Sequence, residues 1–339
     1  MEQIYLSCCE YELGESRPLI ELSGHIESGV IDTLMQLGLR CYLRTETSAP
    51  AMALASLART LKCMRGIVPD LVLYCSTRML DHSRDMMDFK KGSSQLGLPL
   101  TPLIGMSTNG CANFGIAVVH ACDLIRARSA RCVAVVTADT CARPADRLTA
   151  NNSAILSDGA ASCLISINPE LGGFLVRGTS IGTDLRLHDE VDFLKVYRYA
   201  SSGVRSVTKR ALANASIRGS DIDRLVTMNV QPNTLRFYSK EAGFGADSVY
   251  NYEERLARNS HVFGADIIIN LVESTTELMH TCPERACKPL LALSVSPAAW
   301  SGMVLQPASA LLSELVIKTT LKKTDLEGPT LVDAPSKSS

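Results

Sequence analysis

No two cysteines in this chain are spaced Cys-x-x-Cys, although it carries 12 of them, and the closest pairs are Cys8/Cys9 and Cys282/Cys287. That spacing excludes a zinc ribbon and a thioredoxin-like redox pair. No apolar run approaches the roughly 18 residues of a membrane span. The opening MEQIYLSCCEYELGESRPL lacks both the basic-then-apolar order of a secretory leader and a small-residue cleavage site. Neither sign of charge is in excess, with 34 Lys plus Arg against 35 Asp plus Glu. Nothing in that balance marks a nucleic acid or a membrane surface as partner. A soluble, cytoplasmic chain that binds neither is expected.

What is present is apolar bulk. A chain of 339 residues that is 46% apolar can bury a large core, as two domains or one large double-layered one. Most cysteines belong to that bulk: Cys75 in LVLYCS, Cys132 in RCVAVV and Cys163 in ASCLISI read as small buried hydrophobes in a reducing compartment. Cys111 differs. It sits in STNGCANFG, between Gly110 and the start of an apolar helical pattern, where Gly110, Asn113 and Gly115 point to a tight, close-approach turn.

The chain repeats itself. APAMALASLARTLKCMRGIVPDLVLYCS reads as a helix, a turn at Pro69-Asp70 and a strand; SGVRSVTKRALANASIRGSDIDRLVTMNV has the same order with its turn at Gly219 to Asp221. CANFGIAVVHACDLIRARSARCVAVVTAD and ADIIINLVESTTELMHTCPERACKPLLALSVS then form a second helix–strand pair in each half. The product is an α/β fold in two similar halves, with parallel strands packed on helices. The boundary falls near SINPELGGFL, giving an N-terminal half over residues 1–168 and a C-terminal half over 169–317. Residues 318–339 are polar and without periodicity, and read as a flexible tail.

If the halves are related by an approximate two-fold axis, equivalent loops meet near it. The loop ending in Cys111 matches NSHVFGAD, Asn259 to Asp266, so Cys111 is expected to face His261. A thiol at a helix N-terminus feels the positive end of the dipole, which favours thiolate. An adjacent imidazole can take up and return a proton. Asp266, at the mouth of the next helix, either orients that imidazole or only caps the helix. The remaining histidines read as structural or solvated. His120 lies nine residues into the Cys111 helix and therefore on its opposite side. His280 falls in a last helical turn, and His25, His82 and His188 lie in polar segments.

These residues resemble a family. NGCANFGIAVVHACDLIRARSARCVAVVTAD is similar to the nucleophile helix and following strand of the ketosynthase III group of the thiolase fold, and LSDGAASCLIS to its F-G-D-G-A-G-A segment. IDRLVTMNVQPN resembles the D-x-x-x-x-H-Q-A-N segment and SVSPAAWSGMVL the closing strand-turn-strand. The resemblance implies a layered α-β-α-β-α architecture and a homodimer joined through sheet edges. It also implies a reaction: a condensing member uses Cys, the His of H-Q-A-N and an Asn in the next loop to make a carbanion by decarboxylation. Here the His position holds Val230 and the Asn position holds His261, so one of two donors is missing.

The pattern is closer to natural-product offshoots of the family with GHVFGxD-like loops, which move an acyl group from a thioester to a hydroxyl or amine or select an unusual starter unit. Carried over, Cys111 forms an acyl-enzyme, the backbone N–H groups of Cys111 and Ala298 hold the oxyanion, and His261 deprotonates the acceptor. Arg40 and Arg44 fall where the family meets a nucleotide, and Asn233 takes the last place of the H-Q-A-N segment; these three are expected to contact substrate. The donor is an acyl-coenzyme A or an acyl-carrier protein, with no bound cofactor and no metal. The alternatives are a condensing or starter-unit enzyme and a non-catalytic partner subunit. The loops holding Met79, Met86, Met87 and Phe89 are expected to form an adaptable, partly apolar pocket wall.

Overall fold

Runs with apolar residues at helical spacing form helices here, and short β-branched runs form strands, in the alternation that the repeat requires. The computed structural model describes residues 2–64, 66–78, 84–149 and 152–308. Its first part contains β1 (Tyr5–Leu13), β2 (Glu15–Pro18), α1 (Ser28–Gln36), β3 (Cys41–Arg44), α2 (Ala49–Lys62), β4 (Leu71–Cys75), α3 (Asp85–Gln95) and β5 (Leu103–Met106). Then come α4 (Asn113–Arg126), β6 (Cys132–Asp139), β7 (Gly159–Ser166), β8 (Phe174–Thr183), α5 (Phe193–Ala215), β9 (Arg224–Thr227) and α6 (Pro232–Glu241). The last part contains α7 (Tyr252–Asn259), α8 (Asp266–Thr281), α9 (Pro283–Ala286), β10 (Leu290–Val295) and β11 (Ala299–Pro307).

Nine strands form one mixed sheet in the order β5-β4-β6-β7-β1-β8-β11-β10-β9, and β2 pairs with β3 in a small second sheet. The helix–strand pairs of the repeat give the parallel neighbours β4–β6 and β9–β10, and β5 pairs in parallel with the other side of β4. Strands drawn from residues up to 166 meet those drawn from residue 174 onward where β1 pairs with β8, at Tyr5↔Leu175 and Leu6↔Phe174. α2 packs on β1, β6 and β7, and α5 packs on β8 and β11. α4 and α8 each touch strands of both groups. They form the middle of a layered α-β-α-β-α arrangement. Strands covered on both faces need apolar residues throughout, and β4, β6, β7 and β10 are buried at every position.

Three details differ from the sequence reading. α5 starts at Phe193, well ahead of the SGVRSV run, because Asp192 caps it by accepting from Leu194 N at 2.9 Å and Lys195 N at 3.3 Å. The polar break before β10 contains the short helix α9, begun by Pro283. Phe89 is not a pocket wall: it is fully buried and stacks on Tyr74 with ring centroids 4.3 Å apart, whereas Met87 is 60% exposed. Met79, His82, residues 309–317 and the tail 318–339 lie outside the described residues. Among the described residues no helix is long and apolar enough to cross a membrane.

A buried ion pair joins the small sheet to the large one. Arg147 is 2% exposed and Asp158 not at all, and their fork-to-fork contacts are 2.9 and 3.0 Å. Asp158 also accepts from Thr45 N and Cys141 N, while Arg147 donates to the carbonyls of Leu43 and Leu156. Those bonds pin β3 against residues 156–158. Removing one partner leaves a buried charge uncompensated, so Asp158→Ala is expected to lose about 3–5 kcal/mol of stability, read by urea denaturation.

Candidate active site

Cys111 is presented by a turn that only a glycine accommodates well. Gly110 has φ +54°, and a Cβ there would lie 3.3 Å from Ser296 Cβ, so the turn between β10 and β11 abuts it. A single 3-10 turn over Gly110–Ala112 then feeds α4, leaving Cys111 half-buried at the helix mouth. Asn113, 2% exposed, holds the turn from the other side. Its Nδ2 donates to Ser76 O at 2.8 Å and its Oδ1 accepts from Asn109 N at 3.0 Å.

His261 arrives from the other half on a loop with little freedom. Ser260, at φ +48°, donates its hydroxyl to Cys41 O at 2.7 Å. His261 N donates to Ile155 O at 2.9 Å and its carbonyl accepts from Ser157 N at 2.8 Å, a short parallel bridge onto the segment that precedes β7. A Cβ on Gly264 in this loop would lie 3.3 Å from Cys111 O, which shows how closely the two loops meet. His261 Nε2 lies 3.3 Å from Cys111 Sγ and its Nδ1 2.5 Å from Asp266 Oδ2.

Asp266 is fully buried and makes no capping bond to α8. Besides His261, its carboxylate accepts from Asn229 N at 2.8 Å, Asn229 Nδ2 at 3.1 Å and Val262 N at 3.0 Å. Asn229 is itself held, since its Oδ1 accepts from Asn270 Nδ2 at 3.0 Å. Burial alone would pull His261 down, but the Cys111 sulfur and the Asp266 carboxylate, by charge and by hydrogen bond, outweigh it and push the imidazole up to about 10. The ring therefore holds its second proton at neutral pH and loses it as the pH rises through about 10. A thiol, an imidazole and a buried carboxylate in line can store and return one proton beside a nucleophile.

Of the residues singled out from sequence, the structure brings Cys111, His261 and Asp266 together. Ala298 lies buried in the β10–β11 turn, where neighbouring Ala299 packs with Ala112. Arg40, Arg44 and Asn233 are exposed. Arg44 is paired with Glu46 at 2.8 Å, Asn233 accepts from Arg236 at 3.2 Å, and among the described residues none of the three bonds to the triad. Val230 is 4% exposed and packs in an apolar cluster with Leu235 and Tyr252, so its side chain offers no donor. Sequence reasoning missed Asn229 and the Arg147–Asp158 pair, and it read Asn113 only as a turn residue. The signal for that pair is the Asp of LSDGAAS, Asp158, set between apolar residues where a carboxylate needs a partner. Among the described residues no group of His, Cys, Asp or Glu could hold a metal ion.

Known proteins are similar to this chain in sequence and in fold. Residues 107–184 match the family model of 3-oxoacyl-[acyl-carrier-protein (ACP)] synthase III. The chain is 26% identical over 204 residues to the beta-ketoacyl-[acyl-carrier-protein] synthase III of Mycobacteroides abscessus, covering 54% of each. It spans about half the length of the curated relatives it matches. In fold it is similar to 3-oxoacyl-(acyl carrier protein) synthase III of Pseudomonas aeruginosa, with TM-score 0.72 and 16% identity over 91% of this chain and 99% of that one. A structure titled ChlB3, an acyltransferase, matches with TM-score 0.72 and 18% identity over the same shares. The chain has the thiolase fold and is similar in sequence to ketosynthase III proteins over about half its length.

The His261 balance predicts a titration. Cys111→Ala removes a sulfur that raises the imidazole and leaves burial, which lowers it, so His261 is expected to titrate at lower pH in the variant than in the wild type. Histidine side-chain NMR over pH 5 to 11 reads both values, and equal midpoints would contradict the pairing.

Proposed function

We propose that this ketosynthase III-like protein is an acyltransferase that carries its acyl group on Cys111 and delivers it to a hydroxyl or amine acceptor in secondary metabolism. The observation that carries this reading is the Cys111–His261–Asp266 line, with Nε2 at 3.3 Å from the sulfur. The Cys111 thiolate attacks the thioester carbonyl carbon, and the oxyanion is held by the backbone N–H groups of Cys111 and Ala298. Collapse breaks the donor C–S bond, and the departing thiolate takes the proton from the His261 imidazolium. The now neutral Nε2 accepts the acceptor's proton as its O or N attacks the acyl carbon. Cys111 thiolate leaves and the imidazolium is restored, so every proton is accounted for.

The donor is an acyl-coenzyme A or an acyl-carrier protein, the second supported by the similarity to acyl-carrier-protein synthases. Val230, apolar and buried where a condensing member has histidine, supports transfer over decarboxylative condensation. The names of those relatives favour a second reading, a condensing or starter-unit enzyme. A homodimer through the edge strand β5, whose Ile104 is 49% exposed, accompanies either.

Intact-mass spectrometry after incubation with acyl-coenzyme A and acyl-carrier thioesters tests the acyl-enzyme. A gain of one acyl group is expected in wild type and not in Cys111→Ala, with no carbon dioxide released from a malonyl donor. Release would favour condensation, and no gain from any donor would sink both enzyme readings. With acceptor present, His261→Ala is expected to slow transfer by about 10²- to 10⁴-fold, the usual worth of a general acid–base group.

A further inference from the structure

Asp139, the last residue of β6, is 3% exposed and takes no part in the triad. Its Oδ1 accepts from Ser76 Oγ at 2.8 Å, Thr77 N at 2.8 Å and Thr77 Oγ1 at 2.7 Å. Ser76 and Thr77 directly follow β4, and Ser76 N donates to Met106 O, the end of β5, at 3.1 Å. Ser76 O accepts from Asn113 Nδ2 at 2.8 Å, and Asn113 Oδ1 accepts from Asn109 N at 3.0 Å. Cys111 lies midway between Asn109 and Asn113. The same end of β6 closely approaches the opposing loop, since Thr137 Oγ1 would lie 3.2 Å from a Cβ on Gly264.

We propose that Asp139 is a positioning residue, whose carboxylate, through Ser76 and Asn113, fixes the turn that presents Cys111 to His261. A carboxylate oxygen accepting three hydrogen bonds draws the post-β4 segment tight, and Asn113 passes that restraint to both sides of the nucleophile. Charge-assisted bonds are roughly twice as strong as neutral ones, so the restraint depends on ionisation. This role rests on Cys111 being the nucleophile, as proposed above.

Burial pushes Asp139 up to about 6, opposed by its bonds from Thr77 and Ser76 and by the charge of Arg78. The other titratable groups facing it are Tyr74 and Cys75 of β4 and Cys141 beyond β6. Burial pushes all three up, Cys141 to about 11. Within this cluster Asp139 alone changes charge between pH 5 and 8. The restraint is nearly complete at the top of that window and is lost as the pH falls through about 6.

The experiment follows iodoacetamide alkylation of the Cys111 peptide by mass spectrometry from pH 5 to 8, in the intact chain. In wild type the rate is expected to change by about two- to tenfold in a step centred near pH 6, the range that one hydrogen bond's net worth allows. Asp139→Asn keeps the shape and an acceptor oxygen but cannot ionise, and the step is expected to vanish. Thr77→Val deletes one bond that lowers the carboxyl, and the step is expected to move to higher pH. The Cys111–His261 pair is common to all three proteins, so the differences between profiles isolate Asp139. A step retained in Asp139→Asn, or one that stays in place in Thr77→Val, overturns the proposal. If Asp139→Asn does not fold, Thr77→Val alone decides. Alkylation uses no acyl donor, so failure of acylation on the same samples would sink the acyl-transfer reading separately.

Discussion

The structure around the triad depends on one buried carboxylate. Asp266 has no access to water, and an ionised carboxylate in that position is tolerable only when its oxygens are fully engaged. Its donors come from the His261 ring, from Val262 in the same loop, and from the backbone and side chain of Asn229 just after β9. Satisfying the charge therefore fixes the end of a strand, the start of α8 and the plane of the imidazole at once. With Nδ1 committed to Asp266, Nε2 is left to face the sulfur.

The other half of the molecule supplies the second restraint. Ile155 and Ser157 hold the backbone of His261, and the neighbouring Asp158 is locked to Arg147. Residues of the N-terminal half thus carry Cys111 and also grip the loop that brings His261. Neither half holds the Cys111–His261 pair without its counterpart, which ties the pair to formation of the whole sheet. A pair of buried charges is a costly way to gain stability, because desolvation offsets much of the attraction. What the Arg147–Asp158 pair adds is direction: a guanidinium fork meeting a carboxylate tolerates few geometries.

The fold and the three residues of the line were legible from sequence because both are encoded locally. Helical and strand periods are read within one segment, and the repeat converts two such readings into one contact between Cys111 and His261. The supporting polar residues lacked that advantage. Asn229 lies 37 positions from Asp266, in an apolar strand pattern where one Asn carries no period of its own. Arg147 sits in a polar run without helical or strand period, yet it is 2% exposed, and only the folded chain shows Asp158 waiting for it. Asp139 ends a strand of continuous apolar character, a place where a carboxylate reads as the start of the next loop. For Arg40 and Arg44, position within the chain suggested a ligand; both are exposed, and Arg44 has Glu46 beside it.

The same physical distinction separates the two reactions that the site could serve. Stabilising a carbanion's enolate oxygen calls for donors that stay put and stay neutral, which is what a side-chain amide and a neutral imidazole provide. Val230 provides neither, being apolar and packed against Leu235 and Tyr252. His261 is set up for a different task. Anchored to a buried anion and facing a sulfur, it is held as a cation at neutral pH, ready to give a proton to a departing thiolate. In the proposed transfer, acylation consumes that proton and restores the ring to the neutral state that an incoming hydroxyl or amine needs as a base. An imidazole whose charge alternates in step with the acyl group suits the proposed transfer, whereas for carbanion formation the same alternation would remove a donor at the moment charge develops.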